Sequence, residues 1–373
     1  MNDRKNLTPV RHAVVGIGAS IFGEHRKGAE LPEFELVGGS DVDPARGRPL
    51  AEALGVPFFT DHKEMLKAVQ PEVVVITTPH PFHAPIAIDA LNAGCHVLIE
   101  KPVALRVSEA DAVIEAARRN GRLAAINFQQ RCRGDMRTIA RLLAEEQLGR
   151  VQAFEITMTW PRTKTYYDSG TWRGTWVGEG GGVIMNQAPH QLDLTCHLLG
   201  LPQSVFAYTP TTLQTMETED TVHAVLRWPG GATGFLHITT AEAGRAERWE
   251  IAGTRGSVTL IDGQLTFKRM AEDFREVIAH SSQKMPHIIP EELPVTLEPG
   301  DGLHPDIYRN LYDAIRNGAP LVASISSALP SLELANALIL SGHTGREVQL
   351  PVDRAAYEAL FAELARGSKF KGW

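Results

Sequence analysis

Val14-Val15-Gly16-Ile17-Gly18-Ala19-Ser20 is the stretch on which the fold turns. The apolar run His12–Gly16 reads as a β-strand, and a helix-like segment follows the glycines. Gly16 permits a tight turn at the strand end. Gly18 lets backbone approach a pyrophosphate, whose charge suits the N-terminus of the next helix. The third glycine of the usual dinucleotide pattern is replaced by Ile21. Spacing alone is therefore weak, and the position between strand and helix carries the reading.

Further apolar runs lie at Glu35–Gly39, Glu72–Thr77, His96–Ile99 and Leu123–Ile126. Helical patterns separate them at Ala45–Leu54, Glu64–Val69, Pro85–Ala93 and Glu109–Asn120. Alternation of this kind, with strands apolar throughout, predicts a doubly wound parallel sheet covered on both faces. After a helix at Asp135–Glu146 the strands lengthen and alternate: Val151–Thr159, Thr221–Trp228, Gly234–Thr240, Trp249–Gly253 and Ser257–Leu265, the last broken at Asp262-Gly263. These predict a mostly antiparallel sheet. Helices at Asp306–Asn317, Ser326–Ser341 and Ala355–Arg366 close the chain, and Ile278–Pro305 reads as an irregular connection. Two domains follow, residues 1–129 for a dinucleotide and 130–373 for substrate and assembly, in keeping with a 373-residue length.

Charge and composition exclude other classes. The formal net charge is −7, with 16 acids and 14 bases up to residue 128 and 28 acids and 23 bases beyond it. Neither part has the basic footprint of a nucleic-acid or membrane-surface protein. Apolar runs are far shorter than a bilayer span, and the polar start lacks a signal segment, so the expected location is the cytoplasm. Three scattered cysteines argue against a disulfide framework or a cysteine zinc site.

Chemistry concentrates at strand ends. Asp41 ends the second strand, 25 residues past Gly16, where an acid accepts hydrogen bonds from the adenosine ribose and repels a 2′-phosphate. This favours NAD over NADP, although Arg46 and Arg48 nearby leave NADP as the alternative. Asp43 reads as a turn or helix-start residue. Thr78-Pro79-His80-Pro81-Phe82-His83 leaves the run Glu72–Thr77 on its ligand-binding edge. His80 and His83 lack the acid or cysteine partners of a metal site, so no metal is expected. Glu100-Lys101-Pro102 leaves the run His96–Ile99. Only ten of the 37 basic residues are lysines, and Lys101 stands where a partly desolvated amine can relay a substrate proton. Gly180-Gly181-Gly182 leads into a predicted helix ending at Leu199. Asn186, His190 and Asp193 fall on one face of it, as a general base with orienting partners would.

In combination, the glycine turn, Thr78-Pro79-x-x-x-His83, Glu100-Lys101-Pro102 and Gly-Gly-Gly…His190-x-x-Asp193 resemble the Gfo/Idh/MocA (glucose–fructose oxidoreductase / inositol dehydrogenase) family. The resemblance extends to Asp313-Ala-Ile-Arg-Asn-Gly and Thr344-Gly-Arg-Glu-Val-Gln-Leu-Pro. It implies an α/β chain with an N-terminal Rossmann domain and a C-terminal α/β domain whose open, mostly antiparallel sheet forms homodimer or homotetramer interfaces. It implies a sugar, cyclitol or related polyol as substrate and NAD, or NADP, as cofactor. Lys101 and His190 match the family's catalytic pair and Asp193 a substrate-contacting acid. Asn186 stands where many members carry Asp. Trp172, Arg173 and His304 resemble substrate-contacting residues. Gly16, Gly18, Ala19, Ser20, Ile21, Asp41, Thr78, Pro79, His83, Glu100 and Lys101 match cofactor-binding positions. Two relatives' activities stand as alternatives, an NAD-dependent glycosidase working by transient oxidation and a non-catalytic sugar sensor.

Overall fold

Arg11 is the single position of strand β1 (Val10–Val15) that is not buried. A strand apolar on both faces needs cover on both, and β1 lies third in a sheet ordered β3-β2-β1-β4-β5-β6. Its neighbours are β2 (Phe34–Ser40), β3 (Phe58–Phe59), β4 (Val73–Ile76), β5 (His96–Ile99) and β6 (Ala124–Ile126). Every pairing in this sheet is parallel. Helices α1 (Phe22–Ala29), α2 (Pro44–Ala53), α3 (His62–Val69), α4 (His83–Asn92) and α5 (Val107–Asn120) connect the strands. Asp43 caps α2 by accepting from Ala45 N–H at 2.9 Å, the helix-start role expected of it. Gly121 ends α5 with φ +60°, which a left-handed C-terminal stop requires. The computed structural model describes residues 7–370.

The chain forms two compact units, and their division differs from the single boundary expected near residue 129. The first unit runs through Cys132 and also takes in Gly300–Leu332. The helix His304–Asn317 packs against α1, where the Tyr308 ring occupies the space a Cβ on Gly28 would fill, 2.3 Å away. Arg316 fastens the helix to the start of the chain, donating to Thr8 O, Pro9 O and the Glu72 carboxylate. An amphipathic helix buries its apolar face wherever the surface fits, and sequence position does not reveal which surface that is.

The second unit comprises Arg133–Pro299 and the residues from Glu333 onward. It opens with α6 (Gly134–Ala144). Its sheet is ordered β14-β13-β12-β11-β7-β10-β9-β8-β15. The strands are β7 (Val151–Thr159), β8 (Ser204–Tyr208), β9 (Thr221–Arg227), β10 (Thr233–Thr239), β11 (Arg248–Gly253), β12 (Gly256–Ile261), β13 (Gln264–Arg269), β14 (Glu291–Leu293) and β15 (Val348–Gln349). All neighbours are antiparallel except β7 and β10. The Asp262-Gly263 break is a two-residue hairpin turn with φ +46° and +81°, both left-handed. Three short helices, α7 (Lys164–Asp168), α8 (Val183–Asn186) and α9 (Pro189–Leu199), precede β8, and α10 (Phe274–His280) follows β13. The single helix expected from Gly182 to Leu199 is thus two. Pro189 has no N–H to donate to a preceding turn, so the ladder stops at Gln187-Ala188 and restarts with proline in the first position of α9. Among the described residues no helix is long and apolar enough to cross a membrane.

Candidate active site

The glycine turn is tied to three strand ends. Gly16 and Ile17 N–H both donate to Ser40 O, at the end of β2. Thr77, after β4, donates from Oγ1 to Val15 O and Gly16 O at 3.1 and 2.9 Å. Gly16 has φ +89°, and a Cβ there would lie 3.0 Å from Thr77 and Thr78 backbone. Gly18 N–H donates to Asp41 Oδ2 at 2.9 Å, while Asp41 Oδ1 accepts from Asp43 N–H at 3.0 Å. Asp41 is thereby held at the end of β2. Ala19 N–H closes the turn on Gly16 O, Ser20 is exposed, and Ile21 occupies the residue before α1. A cradle that no side chain could enter, at the switch from β1 to β4, fits a dinucleotide pyrophosphate.

Thr78 and Pro79 leave β4. His83, the first residue of α4, is fully buried, with Nδ1 2.6 Å from Pro102 O and Nε2 2.7 Å from Thr78 O. Its ring joins the loop after β4 to the loop after β5. Glu100, directly after β5, is 5% exposed, and Lys101 beside it is half-buried. His304, read from sequence as a substrate contact, is buried in the first unit with Nε2 3.6 Å from Glu100 Oε1.

In the second unit His190 and Asp193 sit three apart on α9, both buried. Asn186 ends α8, and its amide donates to Glu179 Oε1. Sequence reading passed over Glu179, although an acid between Gly178 and Gly180 is an unusual signal. It is 1% exposed, accepts from Gly174 N–H at 2.6 Å and lies 3.8 Å from Arg173. The Arg173 guanidinium stands over the Tyr166 and Trp172 rings, 4.4 and 4.5 Å from their centres, and donates to Tyr166 Oη at 2.7 Å. Gln187 donates to the same oxygen at 3.0 Å. Trp172 and Arg173 therefore belong to a built cluster that joins the loop 161–176 to the residues flanking α9.

Glu219 braces the glycine loop. Its Oε1 accepts from Gly182 and Ile184 N–H at 2.8 and 3.0 Å. Burial pushes its carboxyl up to about 7, against the two N–H donors and with help from the charge of Glu179. The folded chain therefore binds a proton here that an unfolded carboxyl, ionising near 4.5, releases. Stability is lost as pH rises from about 4.5 to about 7. Unfolding measured at pH 5 and pH 8 should show wild type losing up to about 3 kcal/mol relative to Glu219→Gln. Parallel losses in the two proteins would remove this assignment.

Two family models match the chain: residues 10–128 match the oxidoreductase family with an NAD-binding Rossmann fold, and residues 136–259 match the GFO/IDH/MocA C-terminal domain. An uncharacterized oxidoreductase of Schizosaccharomyces pombe is 30% identical over 289 residues, covering 74% of this chain and 75% of the relative. The D-glucoside 3-dehydrogenase of Escherichia coli is 30% identical over 207 residues, 54% of this chain and 57% of that one. Among solved structures, the WlbA dehydrogenase of Chromobacterium violaceum, in complex with NADH and UDP-GlcNAcA, superposes with a TM-score of 0.80 at 30% identity, covering 95% of this chain and 98% of the other.

Proposed function

Since the chain belongs to the GFO/IDH/MocA oxidoreductase family, we propose that it is a nicotinamide-dependent dehydrogenase acting on a carbinol carbon of a sugar, cyclitol or related polyol. One observation carries the reading: a six-stranded sheet in the β3-β2-β1-β4-β5-β6 order places Gly16, Asp41, Thr78 and Lys101 all just beyond strand ends. The Gly16–Ser20 turn and the start of α1 would hold the pyrophosphate, Asp41 the adenosine ribose, and Thr78-Pro79 the nicotinamide half. When bound, the nicotinamide supplies the hydride acceptor or donor.

The protein's own task is position and proton handling. Lys101 and His190 are the alternative acceptors for the proton of the reacting hydroxyl. Asp193 and Arg173 hold neighbouring hydroxyls, and Trp172 offers a ring face to a pyranose. Asn186 lacks the charge that an acid would bring, while its bond to Glu179 links a carboxylate to the same loop.

The test is a panel of glucosides, cyclitols and UDP-sugars with NAD and NADP, read by nicotinamide absorbance. Accumulating reduced cofactor supports the reading. Release of sugar without it would instead indicate transient-oxidation hydrolysis, and binding without turnover a sensor. Replacing Asp41 with Ser should raise the NADP-to-NAD preference about tenfold or more, since a like charge no longer faces the 2′-phosphate and Arg46 remains. An unchanged ratio of kcat/KM values would show that Asp41 does not face the ribose.

Assembly as a homodimer or homotetramer belongs to the same proposal. Phe206, Val225 and Phe235 align across β8, β9 and β10, and the last two are 53% and 39% exposed. A row of this kind on an open sheet suits a second copy of the chain. Light scattering would read the mass. Residence in the cytoplasm is also part of the proposal.

A further inference from the structure

A buried polar chain that the proposed reaction leaves unused lies behind Lys101. It starts at Tyr308, whose Oη is 3.0 Å from His25 Nδ1. His25 Nε2 is 2.8 Å from Glu100 Oε1, and Asn127 Nδ2 donates to the same oxygen at 2.5 Å. Glu100 Oε2 accepts from Lys101 N–H at 3.1 Å. His304 Nε2 stands 3.6 Å from Glu100 Oε1, with its ring edge-on to that of His25 at 4.7 Å between centres. His25 is fully buried.

Proton positions follow from the partners. A carboxylate only accepts, so His25 carries its proton on Nε2 and donates to Glu100. Nδ1 is then an acceptor, and Tyr308 O–H donates to it. Burial lowers the imidazole's proton affinity, so the ring holds one proton. Burial opposes the charge on Glu100, but the hydrogen bond from His25, with His304 close by and the nearby charge of Lys101, holds its carboxyl well below the usual range. His83 on α4 is a further titratable group of this region, fully buried and itself influenced by the charges of Glu100 and Lys101.

We propose that Glu100 is a positioning residue: His25, ordered by Tyr308, keeps it as a fixed anion that pins the turn carrying Lys101 and favours the ammonium form of that lysine. The family resemblance gives Glu100 as a cofactor-binding position, and in this fold its two oxygens are engaged by His25, Asn127 and Lys101 N–H. The inference builds on the reading of Lys101 as a proton-handling residue. The donor atoms of His25, Glu100 and His304 also lie within 4.8 Å of one another, which makes a bound metal the competing outcome.

The experiment labels amines with trinitrobenzenesulfonate across a pH series and quantifies modification at Lys101 by peptide mass spectrometry, with NADH affinity read by fluorescence. In Glu100→Gln, which keeps the shape, the labelling midpoint should fall by about 1 pH unit because the nearby carboxylate charge is gone. His25→Ala should move it the same way, since a buried carboxyl deprived of its donor takes up a proton. His25→Gln, which restores a donor, should return it towards wild type. NADH affinity should stay within about threefold, because both Glu100 oxygens are already engaged within the protein. An unmoved midpoint in Glu100→Gln, a much weakened NADH affinity in it, or one equivalent of zinc or iron that His25→Ala loses would each overturn the proposal. If His25→Ala does not fold, Glu100→Gln carries the comparison. Labelling needs no turnover, so it fails separately from the dehydrogenase reading, which fails if Lys101→Ala turns over substrate normally.

Discussion

Lys101→Ala should lose about 10²–10⁴-fold in turnover, the range for a removed proton-transfer group. NADH affinity should persist, because the glycine turn, Ser40, Thr77 and Asp41 are braced without help from the Lys101 side chain. Three features give the residue this weight. It stands two residues past the end of β5, it is half-buried, and its own N–H anchors on a buried carboxylate. Lys101→Arg keeps the charge but not the compact ammonium that gains and loses a proton, so it should rescue poorly. The measurement is steady-state kinetics on the substrate that the panel identifies, with NADH titrated by fluorescence. Near-normal turnover in Lys101→Ala would move proton handling to His190 alone.

Gly182→Ala should be the most damaging small substitution. A Cβ at Gly182 would lie 1.8 Å from Glu219 O and 2.8 Å from Glu219 C, both backbone atoms. Neither can rotate away as a flexible side chain would. Relief requires moving the chain that accepts from Val183 N–H at 2.9 Å and carries the carboxylate bound to Gly182 and Ile184. Overpacking of this kind costs about 3 kcal/mol, here as a lower figure. The melting point should fall by roughly 6–12 °C, and the loop before His190 should lose its geometry. Gly367→Ala is the control, since a Cβ there meets nothing within 4 Å. A melting point unchanged in Gly182→Ala would show that the glycine loop yields freely.

Much of the first unit is legible along the chain because its signals are local. Five apolar runs become β1, β2, β4, β5 and β6, since a strand buried on both faces has no polar alternation. Asp43 sits where a cap must, and Asp262-Gly263 where only left-handed backbone closes the hairpin. The strands β3 and β15, two residues each, are too short to leave a pattern. The break at Gln187-Ala188 is written in Pro189 but masked by apolar periodicity that runs through it.

The buried support of the candidate site is illegible for a different reason. Glu179 reaches Asn186 across seven residues, Glu219 reaches Gly182 across 37, and His25 reaches Tyr308 across 283. Hydrogen-bond partners carry no periodicity, so such pairs leave no trace in a single sequence. His304 shows the limit. The family resemblance gives it as a substrate contact, and its nearness to Glu100, which follows from the packing of that helix on α1, is not written in the sequence.

The sequence by itself determined the nucleotide-binding turn, the parallel sheet, the later alternating strands and the strand-end placement of Lys101. Each depends on residues within a few positions of one another, where backbone sterics and hydrophobic period act directly. Only the tertiary structure decided that residues 300–332 rejoin the first unit, that Glu100 is held by His25, that Glu179 joins Gly174 to Asn186, and that Glu219 braces the glycine loop. Those outcomes depend on which apolar faces meet, and a buried polar group then takes whichever partner that packing brings within reach.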